Sequence, residues 1–173
     1  MIKNNVYIYE KDALYLDNYK IDYDFITLDL LQKVNNFLYD NCKYKLVHND
    51  HHFNKYIPII IVISKDGVIL SACELLHNPE TRLTEIYNVS VLLTQRQQGH
   101  AKELLKFLFI FQTYLQTDYW IAVALNNPMY SIATGIYTRA GFTDKIGLNS
   151  ITPSGIVYPL GFMQFYKLWN VTT

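Results

Sequence analysis

Two β-branched runs face each other across Lys65-Asp66-Gly67: Tyr56 to Ser64 on one side and Val68 to Leu75 on the other. Asp-Gly suits the left-handed positions of a type I′ turn, whose twist matches the strands it joins. A β-hairpin is therefore predicted here. The longest apolar run, Ile57 to Ile63 (broken by Pro58), belongs to it. That run is far short of the roughly 18–20 residues a membrane-spanning helix needs, so it reads as a core strand.

Further elements flank the hairpin. Val6 to Tyr9 reads as a short strand. Ile26 to Tyr39 reads as a helix, because Leu30, Leu31, Val34, Phe37 and Leu38 fall on one face, with Asp24 or Thr27 as its cap. Leu83 to Leu93 alternates as a strand, with Leu83, Glu85, Tyr87, Val89 and Val91 expected on one face. A helix is predicted from Gly99 to about Leu115, with Ala101, Leu104, Leu105, Leu108, Phe111 and Leu115 on a wide apolar stripe. Tyr119 to Leu125 reads as a buried strand. Ser131 to Ala140 reads as a short helix, with Ile132, Ala133, Ile136 and Tyr137 inward and Gly141 as its stop. Strands near Phe142–Gly147 and Val157–Leu168 follow. This order is α+β: a mixed sheet with helices on its faces.

Length and composition narrow the function. At roughly 100–200 residues per domain, 173 residues make one domain over residues 1–173. The 15 Lys and Arg balance the 15 Asp and Glu. A nonspecific nucleic-acid binder needs a basic surplus, so no nucleic acid partner is expected. The 15 Tyr and 9 Phe accompany abundant Asn, Ile and Lys, a bias that an AT-rich coding sequence produces without any stacking role. With no apolar segment of leader or spanning length, no membrane association is expected. Only two cysteines, Cys42 and Cys73, favour a reducing, cytoplasmic location.

The junction that points to chemistry is Val91-Leu92-Leu93-Thr94-Gln95-Arg96-Gln97-Gln98-Gly99-His100-Ala101. A strand ends, a polar turn follows, and a long helix opens at a glycine. The first N–H groups of a helix lack internal partners and sit at its positive dipole end, so such a turn can hold an anion. An ordinary polar helix start is the plainer reading of these residues alone. The P-loop and dinucleotide glycine patterns are absent.

With its flanks, the junction resembles the signature of the GNAT superfamily of acyl-CoA-dependent N-acetyltransferases. That signature, Arg/Gln-x-x-Gly-x-Gly/Ala, stands here as Arg96-Gln97-Gln98-Gly99-His100-Ala101. A second family element, Tyr-x-x-x-Gly-Phe, stands as Tyr137-Thr138-Arg139-Ala140-Gly141-Phe142, with a strand between the two. The order of elements matches over most of the chain. The resemblance implies a mixed, mostly antiparallel seven-stranded sheet flanked by about four helices.

It also implies acetyl-CoA as cosubstrate. Arg96, Gln97, Gln98, Gly99, His100 and Ala101 would surround the pyrophosphate, mainly through backbone N–H groups. Val89 and Val91 would bond the pantetheine arm and acetyl carbonyl through their main chain, where the family's strand splays from its neighbour, often at a bulge. The acceptor implied is an amine on a small molecule, peptide or protein. Family members often dimerise through sheet edges, so a homodimer is an open expectation. The chain departs from the family at Tyr130, where many members have a cofactor-contacting Asn, and at Leu93, where a proline is frequent. Asn127 or Asn126 is the expected substitute. His100, at the variable position, is expected to be exposed.

Amine acetylation needs a base, oxyanion stabilisation and a proton for the leaving thiolate. Glu85, on the signature strand, is the candidate base, because a carboxylate in an apolar strand environment can have a raised pKa. Its plainer reading is a strand-end glutamate in solvent or a salt bridge. Tyr137 is the candidate acid, and otherwise a core tyrosine holding Gly141-Phe142 against the sheet. A GNAT domain that binds CoA without transfer is the alternative to an enzyme.

His48, Asp50, His51 and His52 form a polar loop with a metal-like look, but adjacent His51 and His52 aim poorly at one ion and no metal site is assigned. The loop is a candidate wall of the acceptor pocket. Glu10, Asp12, Asp17, Tyr19, Asp22, Tyr23 and Asp24 make the N-terminal part acidic and aromatic, which suits either a solvated face or a rim attracting a cationic amine. Cys73 is read as core.

Overall fold

The computed structural model of the chain describes residues 5–10, 20–21, 28–42, 46–49, 55–125, 130–146, 152–154 and 162–168. In chain order the elements are β1 (Asn5–Glu10), β2 (Lys20–Ile21), α1 (Leu28–Cys42), a short turn of helix at Val47–Asn49, β3 (Ile57–Lys65), β4 (Val68–Asn78), β5 (Leu83–Val91), a second short turn at Leu93–Gln95, α2 (His100–Leu115), β6 (Tyr119–Leu125), α3 (Tyr130–Arg139), β7 (Thr143–Ile146) and β8 (Phe162–Leu168).

The strands form one sheet in the order β2-β1-β3-β4-β5-β6-β8-β7. Pairings β1·β3 and β5·β6 are parallel and the rest antiparallel, so the sheet is mixed and mostly antiparallel as expected. Among the described residues it has eight strands rather than seven and is flanked by three α-helices rather than about four. The added strand is β2, two residues too short to leave a periodic signal.

The hairpin forms as read. Asp66 (φ 51°) and Gly67 (φ 78°) are both left-handed, the geometry of a type I′ turn. Its strands are buried on both sides. Ile60, Val62 and Ala72 pack under Val34, Phe37 and Leu38 of α1. Ile59, Ile61, Ile63, Cys73 and Leu75 pack under Leu104, Leu105 and Leu108 of α2 and Tyr137 of α3. The result is three layers, α1 over one face and α2 with α3 over the other. A fully buried Leu or Ile here contributes about 1.5–3 kcal/mol of transfer free energy, which explains why both helix stripes point inward.

Two expectations change at element ends. β5 stops at Val91, and Leu93 lies exposed in the short turn that follows. Ile132 is exposed rather than inward, because α3 presents only its Ala133, Ile136 and Tyr137 face to the core. The last strand is described from Phe162, with residues 155–161 outside the described part. The cap residues Asp24 and Thr27 also lie outside it. Among the described residues no helix is long and apolar enough to cross a membrane.

Candidate active site

The centre of the site is a break in β5. Glu85 pairs with Leu76, Tyr87 with Glu74 and Ser90 with Ala72, so the register slips between Ala72 and Glu74 of β4. Asn88 and Val89 together stand against Cys73, and Asn88 is left-handed at φ 51°. This is a β-bulge, and it reverses the alternation of side chains. Glu85 and Tyr87 share the α1 face with Glu74, Ala72 and Ser90. Val89 instead packs into the core beneath α2. Glu85 therefore does not share a face with Val89 and Val91, as strict alternation predicted.

On its other edge β5 pairs with β6 only from Leu83 to Ile86. Beyond Ile86 the two strands part, while β6 continues to Leu125 beside β8. The end of that pairing leaves the stretch of β5 around Val89 and Val91 without β6 as its neighbour in the ladder. Strand β5 then leads into the turn before α2. Gln97 (φ 63°) and Gly99 (φ 83°) are left-handed, and Gly99 is the residue at which α2 begins. No side chain caps that helix start. A Cβ at Gly99 would meet no atom within 4 Å, so the backbone is uncrowded at that position.

The turn residues divide by role. Gln97, Gln98 and Gly99 are exposed and Ala101 is half-buried. Arg96 donates from Nη2 to the Asn41 carbonyl at 3.3 Å, fastening the turn to the C-terminal end of α1. His100 is buried, not exposed, with Nε2 3.1 Å from Gln95 Oε1. The helix start turns its ring inward, toward a cleft of about 390 Å³ lined by Lys65, Asp66, Val68, Leu70, Gln95, Gln98 and His100. Glu85 and Tyr137 do not line that cleft.

Glu85 is fully buried rather than solvated or salt-bridged. Its carboxylate accepts the Tyr87 hydroxyl, the Ser154 amide at 3.0 Å and the Ser154 hydroxyl at 2.9 Å. Burial pushes its pKa up to about 7, against the hydrogen bonds from Ser154 and Thr152 that favour the charged form. A carboxylate poised there can take a proton near neutrality.

Tyr137 is buried in the α2-side core, its ring 5.6 Å from that of Phe142. Gly141, at φ 97°, ends α3 and lets the Phe142 amide reach back to the Tyr137 carbonyl at 3.0 Å. Burial, and then the neighbouring Cys73, hold the phenol well above its ordinary range. Glu85 and Tyr137 thus lie on opposite faces of the sheet and are not in contact. Cys73 is core as read, its thiol pushed up by burial and then by Glu74.

Sequence reading missed a second buried carboxylate. Glu74 lies on β4, on the same face as Glu85. It accepts the His48 amide at 2.9 Å, pairs with His48 Nδ1, and accepts Asn88 Nδ2. His48 Nε2 sits 2.7 Å from Asn35 Oδ1 of α1. His48 is therefore a buried strut and not part of an open polar loop. The available signal was Glu74 itself, a carboxylate inside Ala72-Cys73-Glu74-Leu75-Leu76. Among the described residues no three His, Cys, Asp or Glu side chains form a metal-holding group. Asn126, Asn127, Asp50, His51 and His52 lie outside the described residues. So do Asp12, Asp17, Tyr19, Asp22 and Tyr23, and the side chains of Glu10 and Tyr130.

No protein-family model matches the sequence, and no curated protein matches it either. Solved structures do match the fold. A GNAT family acetyltransferase from Staphylococcus aureus is similar at TM-score 0.63 and 13% identity, over 84% of this chain and 96% of that one. The ribosomal-protein-S18-alanine N-acetyltransferase of Escherichia coli gives TM-score 0.61 and 11% identity, over 86% and 93%. The chain has the GNAT fold. A GNAT family acetyltransferase from Elizabethkingia anophelis, solved with acetyl-CoA bound, gives TM-score 0.56 and 18% identity, over 78% and 89%. In this GNAT fold the two sequence motifs fall at the start of α2 and at the end of α3, on either side of β6.

Proposed function

We propose that the protein is an acetyl-CoA-dependent N-acetyltransferase acting on a primary amine by direct attack in a ternary complex. The observation that carries this is Glu85. It is a buried carboxylate with its pKa near neutrality, on the strand that parts from β6 and runs into the uncapped start of α2.

The turn fits a diphosphate. The N–H groups from Gln97 to Ala101 would hold it, at a helix start with no side-chain cap and a left-handed glycine beside which a Cβ would meet no atom within 4 Å. Bound acetyl-CoA would supply an activated acyl thioester. The main chain of Val89 and Val91, on the parted edge of β5, would orient the carbonyl and donate to its oxygen as charge develops. Glu85 would take the ammonium proton, directly or through a water, while Tyr87 and Ser154 fix its orientation. Tyr137 stays protonated through the neutral range and would donate to the departing sulfur. The acceptor is an amine of a small molecule, peptide or protein. The solved structures of this fold include an N-acetyltransferase of a ribosomal protein alanine and a putative streptothricin acetyltransferase, so the fold alone does not choose among them.

Incubation with acetyl-CoA and a panel of primary amines tests the reading. Amine-dependent CoA release, slowed by Glu85→Gln, is expected. No release above hydrolysis with any amine would refute the transfer. A second reading, a GNAT domain that binds CoA without transfer, is favoured by the packing of Tyr137 against Phe142 in the core. Acetyl-CoA binding unaccompanied by turnover, and indifferent to Tyr137→Phe, would select it.

A further inference from the structure

The bulge in β5 requires something to hold it. Asn88 is a non-glycine residue in the left-handed region, inside a strand whose neighbours on both sides are extended. That conformation costs free energy and persists only where its surroundings over-determine it. Three contacts do so here. Glu74 accepts the Asn88 side-chain amide. The Ser90 hydroxyl donates to the Asn88 carbonyl at 3.0 Å. Glu74 is itself pinned, because His48 occupies its other oxygen through both backbone and ring. His48 is in turn bonded to Asn35 of α1, and its neighbour Leu46 packs into the α1-side core. A chain of hydrogen bonds thus runs from α1, through the 46–49 segment and β4, to the residue that breaks β5.

We propose that Glu74, braced by His48 and Asn35, is a positioning residue that holds the β5 bulge and so sets the main chain of Val89 for the thioester carbonyl. The proposal rests on the acetyl-CoA reading above. Glu74 touches neither the expected cofactor residues of the turn nor Glu85 in any described contact. It acts through Asn88. Only the backbone conformation at Asn88 matters to the cofactor, so a residue that is left-handed without help makes the brace dispensable. Glycine is that residue.

The test uses the full chain and reads CoA and acetyl-CoA binding by calorimetry, alongside the thermal midpoint. Glu74→Gln and Asn88→Ala are each expected to weaken acetyl-CoA binding about tenfold, the size of losing one buried charge-assisted hydrogen bond. Asn88→Gly is expected to weaken it less than about threefold. In the Asn88→Gly background, adding Glu74→Gln is expected to change affinity less than about twofold, although it lowers the midpoint further. Loss of stability in every variant with CoA affinity unchanged would overturn the proposal and leave the brace a purely structural device. Equal weakening by Asn88→Ala and Asn88→Gly would overturn it too, and this pair decides the matter if Glu74→Gln does not fold. Wild-type protein that binds no CoA would instead remove the acetyltransferase reading on which the proposal stands.

Discussion

Burial of Glu85 makes the stability of the protein depend on pH in a direction opposite to that of most carboxylates. Its pKa rises from the ordinary 4.5 to about 7 in the folded chain, chiefly through desolvation. Between those values the folded chain keeps the proton and the unfolded chain has released it. The folded state binds more protons, so stability falls as pH rises through this window. At 1.36 kcal/mol per pH unit the full effect is about 3 kcal/mol. About 2 kcal/mol of it is lost between about pH 5 and pH 7, with little further change above about pH 8. Glu85→Gln removes the titration while keeping the shape and most of the hydrogen bonding to Tyr87 and Ser154. Urea denaturation of both proteins across this range isolates the Glu85 contribution as the difference between the two curves. Wild type is expected to lose stability relative to Glu85→Gln as pH rises. A difference that is flat, or that grows in favour of wild type, would refute the raised pKa and the base role that depends on it. The same titration predicts that amine acetylation by wild type rises to half its maximum near pH 7.

Three further outcomes follow from the site and its support. Gly99→Glu places a carboxylate before the uncapped start of α2 and a side chain at φ 83°; it should lower acetyl-CoA affinity more than about a hundredfold by calorimetry, while costing about 1–2 kcal/mol of stability. Tyr137→Phe should retain acetyl-CoA affinity and lower turnover about a hundredfold, and an unchanged rate would return Tyr137 to a packing role. Trp120→Ala empties a fully buried position beneath Phe109; denaturant unfolding should show a loss of about 3–5 kcal/mol.

What the sequence made legible was what depends on period and turn chemistry. The hairpin at Asp66-Gly67, the inward stripes of α1 and α2, and the glycine starts and stops at Gly99 and Gly141 are local properties, and the structure has them where the residues placed them. The two motifs that carried the resemblance are of this kind. The site's electrostatics were less legible, because they depend on residues far apart in the chain. Ser154 meets Glu85 across 69 positions, and Glu74 meets His48 across 26. No window read along the chain brings such pairs together. The burial of His100 was hidden for a related reason: whether the first residue of a helix faces out depends on the hairpin packed beside it.

The bulge shows why one residue can decide what a strand does chemically. In an unbroken strand, Glu85 and Val89 would face the same layer, so either the carboxylate would enter the apolar core beneath α2 or Val89 would leave it. The left-handed residue Asn88 puts the two side chains on opposite faces. Upstream, Glu85 and Tyr87 face α1, where polar partners satisfy a buried carboxylate. Downstream, Val89 returns its side chain to the apolar core, and its main chain is left at an edge that β6 no longer covers. Alternation ties every side chain of a strand to its neighbours, so Glu85 and Val89 can face different layers only where the register breaks between them. Breaking the register costs backbone strain, which is why the break needs a brace. In this chain the brace is a second buried carboxylate on the same face as the first.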